Sequence, residues 1–289
     1  MKSKDLRLKA FLPALRSRNY CLFFAGQGIS LIGTWMTQLA TIWLVYDLTK
    51  SPLMLGVVGF SSQIPSFFLA PLGGVFVDRF SRHRTLIGTQ ILAMVQSLAL
   101  AGLALTGAIQ VWHIIVLSLF QGFINAFDAP ARQAFVLELV ERREDLANAI
   151  AINSTMFNGA RLIGPAIGGL LLAKVGAAYC FLIDGVSYIA VIIALLAMRI
   201  QPIKNVITNT NPLQKIKEGF EYAFGFPPIR AILFLSALVS FMGLQYTVLV
   251  PVFAEEIFKG GAETLGYLMA ASGVGALAGG IYLVTRKTV

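Results

Sequence analysis

Charge is what this sequence has least of. Aspartate, glutamate, lysine and arginine make up 13% of its 289 residues, about half the share in a soluble domain, and that excludes an ordinary water-soluble fold. Cysteine is nearly absent. Cys21 and Cys180 lie in or beside separate apolar segments, too few and too far apart for a disulfide framework or metal-ligand spacing. No Ser/His/Asp set, no paired His/Cys spacing and no phosphate-binding glycine loop stands in the chain. Neither catalysis, a bound cofactor or metal, nor direct ATP drive is therefore expected. The net charge is +9, but the positive residues alternate along the chain instead of forming one patch, which argues against nucleic acid as a partner. Residues 1–19 are basic and lack a short apolar core ending in a small-residue cleavage site. They read as a cytoplasmic lead-in, not a signal peptide.

What the chain has is apolar residues, 57% of the total. They gather into eight runs, approximately 19–46, 52–77, 85–106, 112–132, 147–173, 178–199, 229–254 and 263–285. Each is long enough to cross about 30 Å of hydrocarbon with some tilt. The runs are too long and too uniformly apolar for barrel strands, so the expected class is an all-α polytopic membrane protein. Nineteen lysines and arginines in the ends and links fall on one side of these spans, including Arg79, Arg82 and Arg84, Arg132, Arg142 and Arg143. Only Lys50, Lys174 and Lys259 fall on the other. That asymmetry places both ends of the chain in the cytoplasm and makes the protein multi-pass in the cell's inner or plasma membrane.

The longest polar stretch divides the chain. Residues 1–18 form the lead-in, 19–199 a bundle of six helices, 200–228 a cytoplasmic linker, and 229–289 the first two helices of a second bundle. Within the linker, Leu213, Ile216, Phe220 and Ala223 recur at helical spacing among charged residues, which predicts a short amphipathic helix on the inner membrane surface. Pro227-Pro228 ends it.

An internal repeat appears at an offset of 210. Ser30-Leu31-Ile32-Gly33 matches Ser240-Phe241-Met242-Gly243, Phe24 matches Phe234, and Leu55-Gly56 matches Leu265-Gly266. After a slip of about one helical turn, Gly73-Gly74-Val75-Phe76 aligns with Gly279-Gly280-Ile281-Tyr282. Span 7 then corresponds to span 1 and span 8 to span 2. A repeat of that length implies a whole protein of roughly 420 residues and a chain truncated at its C-terminal side.

Four groups of residues stand out. Between spans 2 and 3, Asp78 sits among Arg79, Arg82, His83 and Arg84, an expensive arrangement at a membrane surface unless the charges pair. Asp128 and Arg132 are four apart, a spacing at which they meet on one helix, and Pro130 between them kinks or ends span 4. Arg161 is the one basic residue deep inside a span, and Asp184 in span 6 is the nearest acid by topology. The two mark either a substrate or proton-coupling site or a buried structural pair. Gln121, Asn125, Asn153 and Asn158 would add neutral polar groups to that cavity, or serve as interhelix glue. Gly164, Pro165, Gly168 and Gly169 let another helix approach span 5 closely and bend it.

These features together resemble the major facilitator superfamily, whose members pair two six-span halves. Gly74 to His83 resembles its loop motif between spans 2 and 3, G-x-L-A-D-R-x-G-R-K/R, with Ser81 in place of a glycine and His83 in place of a fixed cation. Gly164-Pro165-Ala166-Ile167-Gly168-Gly169 resembles the span 5 motif of its antiporters, with Ala160 where an earlier glycine usually stands. Gln121-Gly122 matches the end of a span 4 motif whose arginine is Ser118 here, so that arginine's proton-coupling role does not carry over. Residues 125–135 resemble the branch that includes the enterobactin exporter and macrolide efflux proteins. The resemblance implies that Asp78 belongs to a cytoplasmic gate with Arg79, Arg82, Asp128 and Arg132. It also implies a proton-coupled exporter of small organic molecules, drug or siderophore in type, working by alternating access, with the substrate, protons and membrane lipid as its partners. The alternatives are a truncated, transport-inactive membrane protein and a solute importer of the same fold.

Overall fold

The computed structural model describes residues 17–140, 145–200, 212–243 and 246–285. The described residues are helical, with no strand among them. In chain order the helices are α1 (Arg18–Thr49), α2 (Pro52–Arg79), α3 (Arg82–Leu105), α4 (Val111–Leu139), α5 (Leu146–Val175), α6 (Ala177–Leu196), α7 (Pro212–Gly225), α8 (Pro227–Gly243), α9 (Tyr246–Val252), which runs into a π-helical turn at Phe253–Ile257, and α10 (Ala262–Thr285). Seven stretches of the described residues are long and apolar enough to cross a membrane. The eighth expected span is α10, whose 24 residues rise about 36 Å.

Local chemistry sets the turns. Ser17 caps α1, accepting from the Tyr20 amide. At the other end Lys50 takes up a left-handed conformation with φ 47°, and Pro52 opens α2 at a position where its missing N–H is not needed. Gly176, at φ 88°, joins α5 to α6 with no intervening loop. The link after α2 is shorter than the sequence implied. Only Phe80 and Ser81 lie between α2 and α3, so Arg82, His83 and Arg84 form the first turn of α3. Ser81, standing where the superfamily motif has glycine, caps that turn by accepting from the Arg84 amide.

One further bound differs from expectation. α4 does not stop near Arg132 but continues through Pro130 to Leu139. A proline cannot donate to the carbonyl four residues back, which frees the carbonyl of Ala126. That oxygen faces Gly73 of α2, where any Cβ would overlap it. The kink and the glycine are thus one device for crossing α2 on α4. The described residues of span 7 are α8 and the α9–π-turn segment, and residues 244 and 245 lie outside the described part.

Within α1–α6 the closest packing joins α2 to α4, α1 to α6 and α5, and α3 to α6 and α4. α10 packs along α5. At the arginine-rich end, called the basic end below, a core of Tyr20, Val77, Leu86, Phe135, Ile152 and Leu195 draws on all six helices and, among the described residues, on no later helix. At the opposite end, a second core takes Leu39, Leu55, Ile114 and Phe181 together with Ala254, Ala262 and Leu265. The late helices therefore join the buried core only at the opposite end. None of the described residues of α8 is buried, and its exposed Ile232, Phe234 and Phe241 suit contact with lipid tails. The described residues of α7 are exposed along nearly their whole run, as expected for a helix outside the bundle.

Candidate functional site

The basic end carries a bonded charge network. Asp128 is 3% exposed. It accepts from Thr89 Oγ1 and Gln90 Nε2, both at 2.8 Å, and pairs with Arg132 one turn along α4. Arg82 at the start of α3 pairs with Glu138 near the end of α4. His83 Nε2 donates to the Leu195 carbonyl at 2.8 Å, tying α3 to α6. Asp78 lies in the last turn of α2 and Arg79 ends that helix; the Asp78 side chain is outside the described part. Arg82 and Arg132, two of the arginines grouped with Asp78, thus pair with Glu138 and Asp128. Glu138 was missed because span 4 was ended at Arg132, which left Glu138 in a link. A helix running through Pro130 puts it level with Arg82.

At mid-depth the expected Arg161–Asp184 pair is not formed. Asp184 is 2% exposed and accepts from Ser97 Oγ of α3 at 3.0 Å and Thr34 Oγ1 of α1 at 3.5 Å. Thr34 also lies 3.4 Å from the Tyr188 hydroxyl. Gly33 makes room for this cluster, since a Cβ there would sit 2.8 Å from Asp184 Oδ1. Arg161 instead donates to Ser272 Oγ of α10 at 3.0 Å and lies 5.7 Å from the centroid of the Trp35 ring. The reason is angular. Gly33 and Trp35 are two positions apart, about 200° around a helix, so α1 stands between the acid on one of its faces and the arginine on the other. Span order makes Asp184 the nearest acid to Arg161 by topology; it carries no information about which face each presents.

The span 5 motif packs in two directions. A Cβ on Gly164 would lie 2.5 Å from the Trp35 Cβ, and one on Gly168 would lie 3.2 Å from the Met36 Cα, both in α1. A Cβ on Gly169 would lie 2.8 Å from the Gly266 Cα in α10, and the Pro165 carbonyl is the nearest atom to a Cβ on Gly266. The neutral polar residues bond locally. Gln121 donates to Asn125 at 3.0 Å along α4, and Asn158 to the Ser154 carbonyl at 3.0 Å along α5. Neither of these bonds reaches Arg161.

At the opposite end lies a contact between early and late helices that sequence reading did not find. Lys50 Nζ pairs with Glu255 at 2.9 Å and with Asp47 at 3.2 Å, and the Tyr46 hydroxyl donates to Glu256 at 2.5 Å. The hydrogen bond to Glu255 is the main reason that Lys50 is held above its ordinary pKa. A raised lysine value means the contribution is full below about pH 10 and is lost as pH rises through the folded value. Lys50→Glu is expected to lower the thermal midpoint in detergent by about 1–2 °C, as suits an exposed pair. The reversal Lys50→Glu/Glu255→Lys should restore it, and high salt should shrink the difference. A double variant no better than the single would remove the pairing as its cause.

Comparison with known proteins follows the same lines. The chain is 28% identical over 258 residues to the staphyloferrin A transporter of Staphylococcus aureus, covering 88% of this chain and 64% of that protein. It is 23% identical over 262 residues to macrolide efflux protein A of Streptococcus pyogenes, covering 90% and 64%. With the enterobactin exporter EntS of Shigella boydii it shares 26% identity over 277 residues, covering 96% and 64%. The chain thus spans just under two thirds of the length of these relatives. The family described as transmembrane secretion effector matches residues 9–288. A match over nearly the whole chain, on an all-helical bundle with its glycine motif packed against both neighbours, places the chain in the transmembrane secretion effector family of the major facilitator superfamily.

Proposed function

We propose that the protein is a secondary exporter of small organic molecules that works by alternating access and exchanges its substrate for protons. The observation that carries this reading is the distribution of the buried core. Among the described residues, helices α9 and α10 share a core with α1–α6 at the end opposite the arginines and share none at the basic end. With the basic end in the cytoplasm, as the charge asymmetry indicates, this distribution supports a state closed to the outside and open to the inside. Substrate enters between the six-helix bundle of residues 19–199 and the second bundle that begins at residue 229, and Arg161, Trp35 and Ser272 meet it at mid-depth. Residues 200–228 connect the bundles on the cytoplasmic side. The relatives' names, an efflux protein for macrolides, an exporter of enterobactin and a transporter of staphyloferrin A, support the reading of an exporter of small organic molecules.

Two acids take separate parts in this scheme. Asp78 belongs to the gate that closes the basic end, with Arg79, Arg82, Asp128 and Arg132 holding the ends of α2, α3 and α4 around it. Asp184 is the proton-exchanging group, a buried carboxylate whose partners are hydroxyls and not a cation.

The test uses inverted membrane vesicles bearing the full reading frame, an imposed pH gradient, and erythromycin, enterobactin or staphyloferrin A as cargo. One of the three is expected to accumulate only when the gradient is present. Asp184→Asn should lower gradient-driven accumulation at least tenfold, and Asp78→Asn should slow it about three- to tenfold with normal amounts of protein in the membrane. Accumulation indifferent to the gradient would exclude proton exchange, and an unchanged rate in Asp78→Asn would remove that residue from the gate.

A further inference from the structure

Arg161 is a permanent cation placed where a membrane protein tolerates one least. It lies fifteen residues after Leu146 and fourteen before Val175 in α5, about 21–22 Å of rise from either end. That distance puts a lipid headgroup out of its reach. Its surroundings are at the same depth. Trp35 is fourteen residues before the end of α1, and Ser272 is ten after the start of α10.

The guanidinium has five N–H donors. Among the described residues its hydrogen bond is a single one, to the neutral hydroxyl of Ser272, and no acid forms an ion pair with it. Asp184, the acid nearest in topology, is bonded on the far side of α1. The Tyr246 hydroxyl lies 3.0 Å from the same Ser272 Oγ, so a chain of hydroxyls from α9 and α10 leads to the cation. Trp35 lies beside the guanidinium and meets Phe157 edge to face, with ring centroids 5.6 Å apart. Phe157 is 45% exposed. The result is a cation that, among the described residues, lacks a counter-charge and has a bonded pair of hydroxyls and an aromatic edge beside it, at the seam between early and late helices.

Resting on the exporter reading, we propose that this site recognises its cargo by an anionic group, a carboxylate or an ionised hydroxyl on a flat ring. The anion takes two of the remaining guanidinium donors side by side, the geometry in which arginine binds a carboxylate best. The Ser272–Tyr246 hydroxyl pair supplies one further donor, the other hydroxyl hydrogen being shared between them, and the ring lies against Trp35 and Phe157. Because the site has residues from α1, α5, α9 and α10, an anion bound there ties the early helices to the late ones. Cargo binding and helix movement are then coupled by one charge.

The test reads binding directly, without transport. The detergent-solubilised full-length protein is titrated with 2-naphthoate and, separately, with its neutral amide, following quenching of tryptophan fluorescence. Trp35→Phe identifies the part of the signal that reports this site. The acid is expected to bind at least tenfold more tightly than the amide. Arg161→Gln should erase that preference while the amide's affinity stays within twofold, and Arg161→Lys, which keeps the charge but loses the fork, should retain part of it. Ser272→Ala separates a structural role from a recognition role. If Arg161 merely fastened α5 to α10, Ser272→Ala and Arg161→Gln would weaken acid and amide equally. A wild-type protein that does not prefer the acid, whether both probes bind or neither does, overturns the proposal. A protein that prefers the acid but drives no export in vesicles would overturn the exporter reading and leave the anion site standing.

Discussion

Gly169→Val is expected to cut transport to less than about a tenth of wild type while the amount of protein in the membrane stays near normal. The argument rests on the α5–α10 seam. Lipid tails are as apolar as a leucine side chain, so helices in a bilayer are held by close packing and hydrogen bonds, not by a hydrophobic force between them. At this seam the packing is backbone on backbone. A Cβ on Gly169 would lie 2.8 Å from the Gly266 Cα and 2.9 Å from the Ala262 carbonyl oxygen, and a Cβ on Gly273 would lie 2.7 Å from the Leu162 Cα. None of these atoms belongs to a flexible side chain, so a valine can be admitted only by moving α10 away from α5. That movement separates Ser272 from Arg161 and opens the core that Leu265 and Ala262 share with α1–α6. It leaves the contacts among α1–α6 alone, which is why insertion should survive. Gly164→Val makes the opposite case. Its clash is with Trp35 and Ile32 of α1, inside the six-helix bundle, and it should lower the amount of folded protein. Gly159→Ala, with nothing within 4 Å of its Cβ position, is the control and should behave as wild type. Normal transport by Gly169→Val would mean that the seam is not needed for the cycle.

How far the sequence reached depended on what each feature needed in order to be seen. Spans were legible because twenty apolar residues in a row have few other uses, and the glycines of α5 were legible because four-residue spacing puts small residues on one face. Even so, Gly164 and Gly168 face α1 while Gly169 faces α10, a division that only neighbours reveal. Asp128–Arg132 was legible because both partners are on one helix and the spacing alone brings them together. Pairs between helices were not. Topology makes Asp184 the acid nearest Arg161, yet the two lie on opposite faces of α1. Lys50 and Glu255 are far apart in sequence, and nothing in the chain between them signals that they meet. Lys50 had served only as one of three cations on the sparse side. Glu138 falls outside a span 4 bounded at Arg132, whereas the helix runs on through Pro130 with the freed Ala126 carbonyl facing Gly73.

The second large effect is expected at Asp128. Asp128→Leu should destabilise the protein by about 3 kcal/mol, the usual result of removing one member of a buried ion pair, and lower the thermal midpoint in detergent by about 6 °C or more. The carboxylate is buried and satisfies Thr89, Gln90 and Arg132 at once. Among the described residues Arg132 Nε and Gln90 Oε1 are already buried without a partner; the free amide oxygen is neutral and cannot replace the carboxylate's charge opposite Arg132. The double variant Asp128→Leu/Arg132→Met removes the stranded charge along with its partner, and buried pairs replaced together by apolar residues of similar size often cost little. It should therefore recover most of the lost stability, and the non-additivity of the two changes measures the pairing itself. Transport then separates the two roles of the pair. If Asp128 and Arg132 only fasten α4 to α3, the double variant regains transport with its stability. If the charges also close the basic end around Asp78, the double variant is stable and still slow, because the late helices meet an apolar surface where the cycle requires a charged one. A double variant as unstable as the single would show instead that the bonds from Thr89 and Gln90, and not the ion pair, hold this end of the bundle.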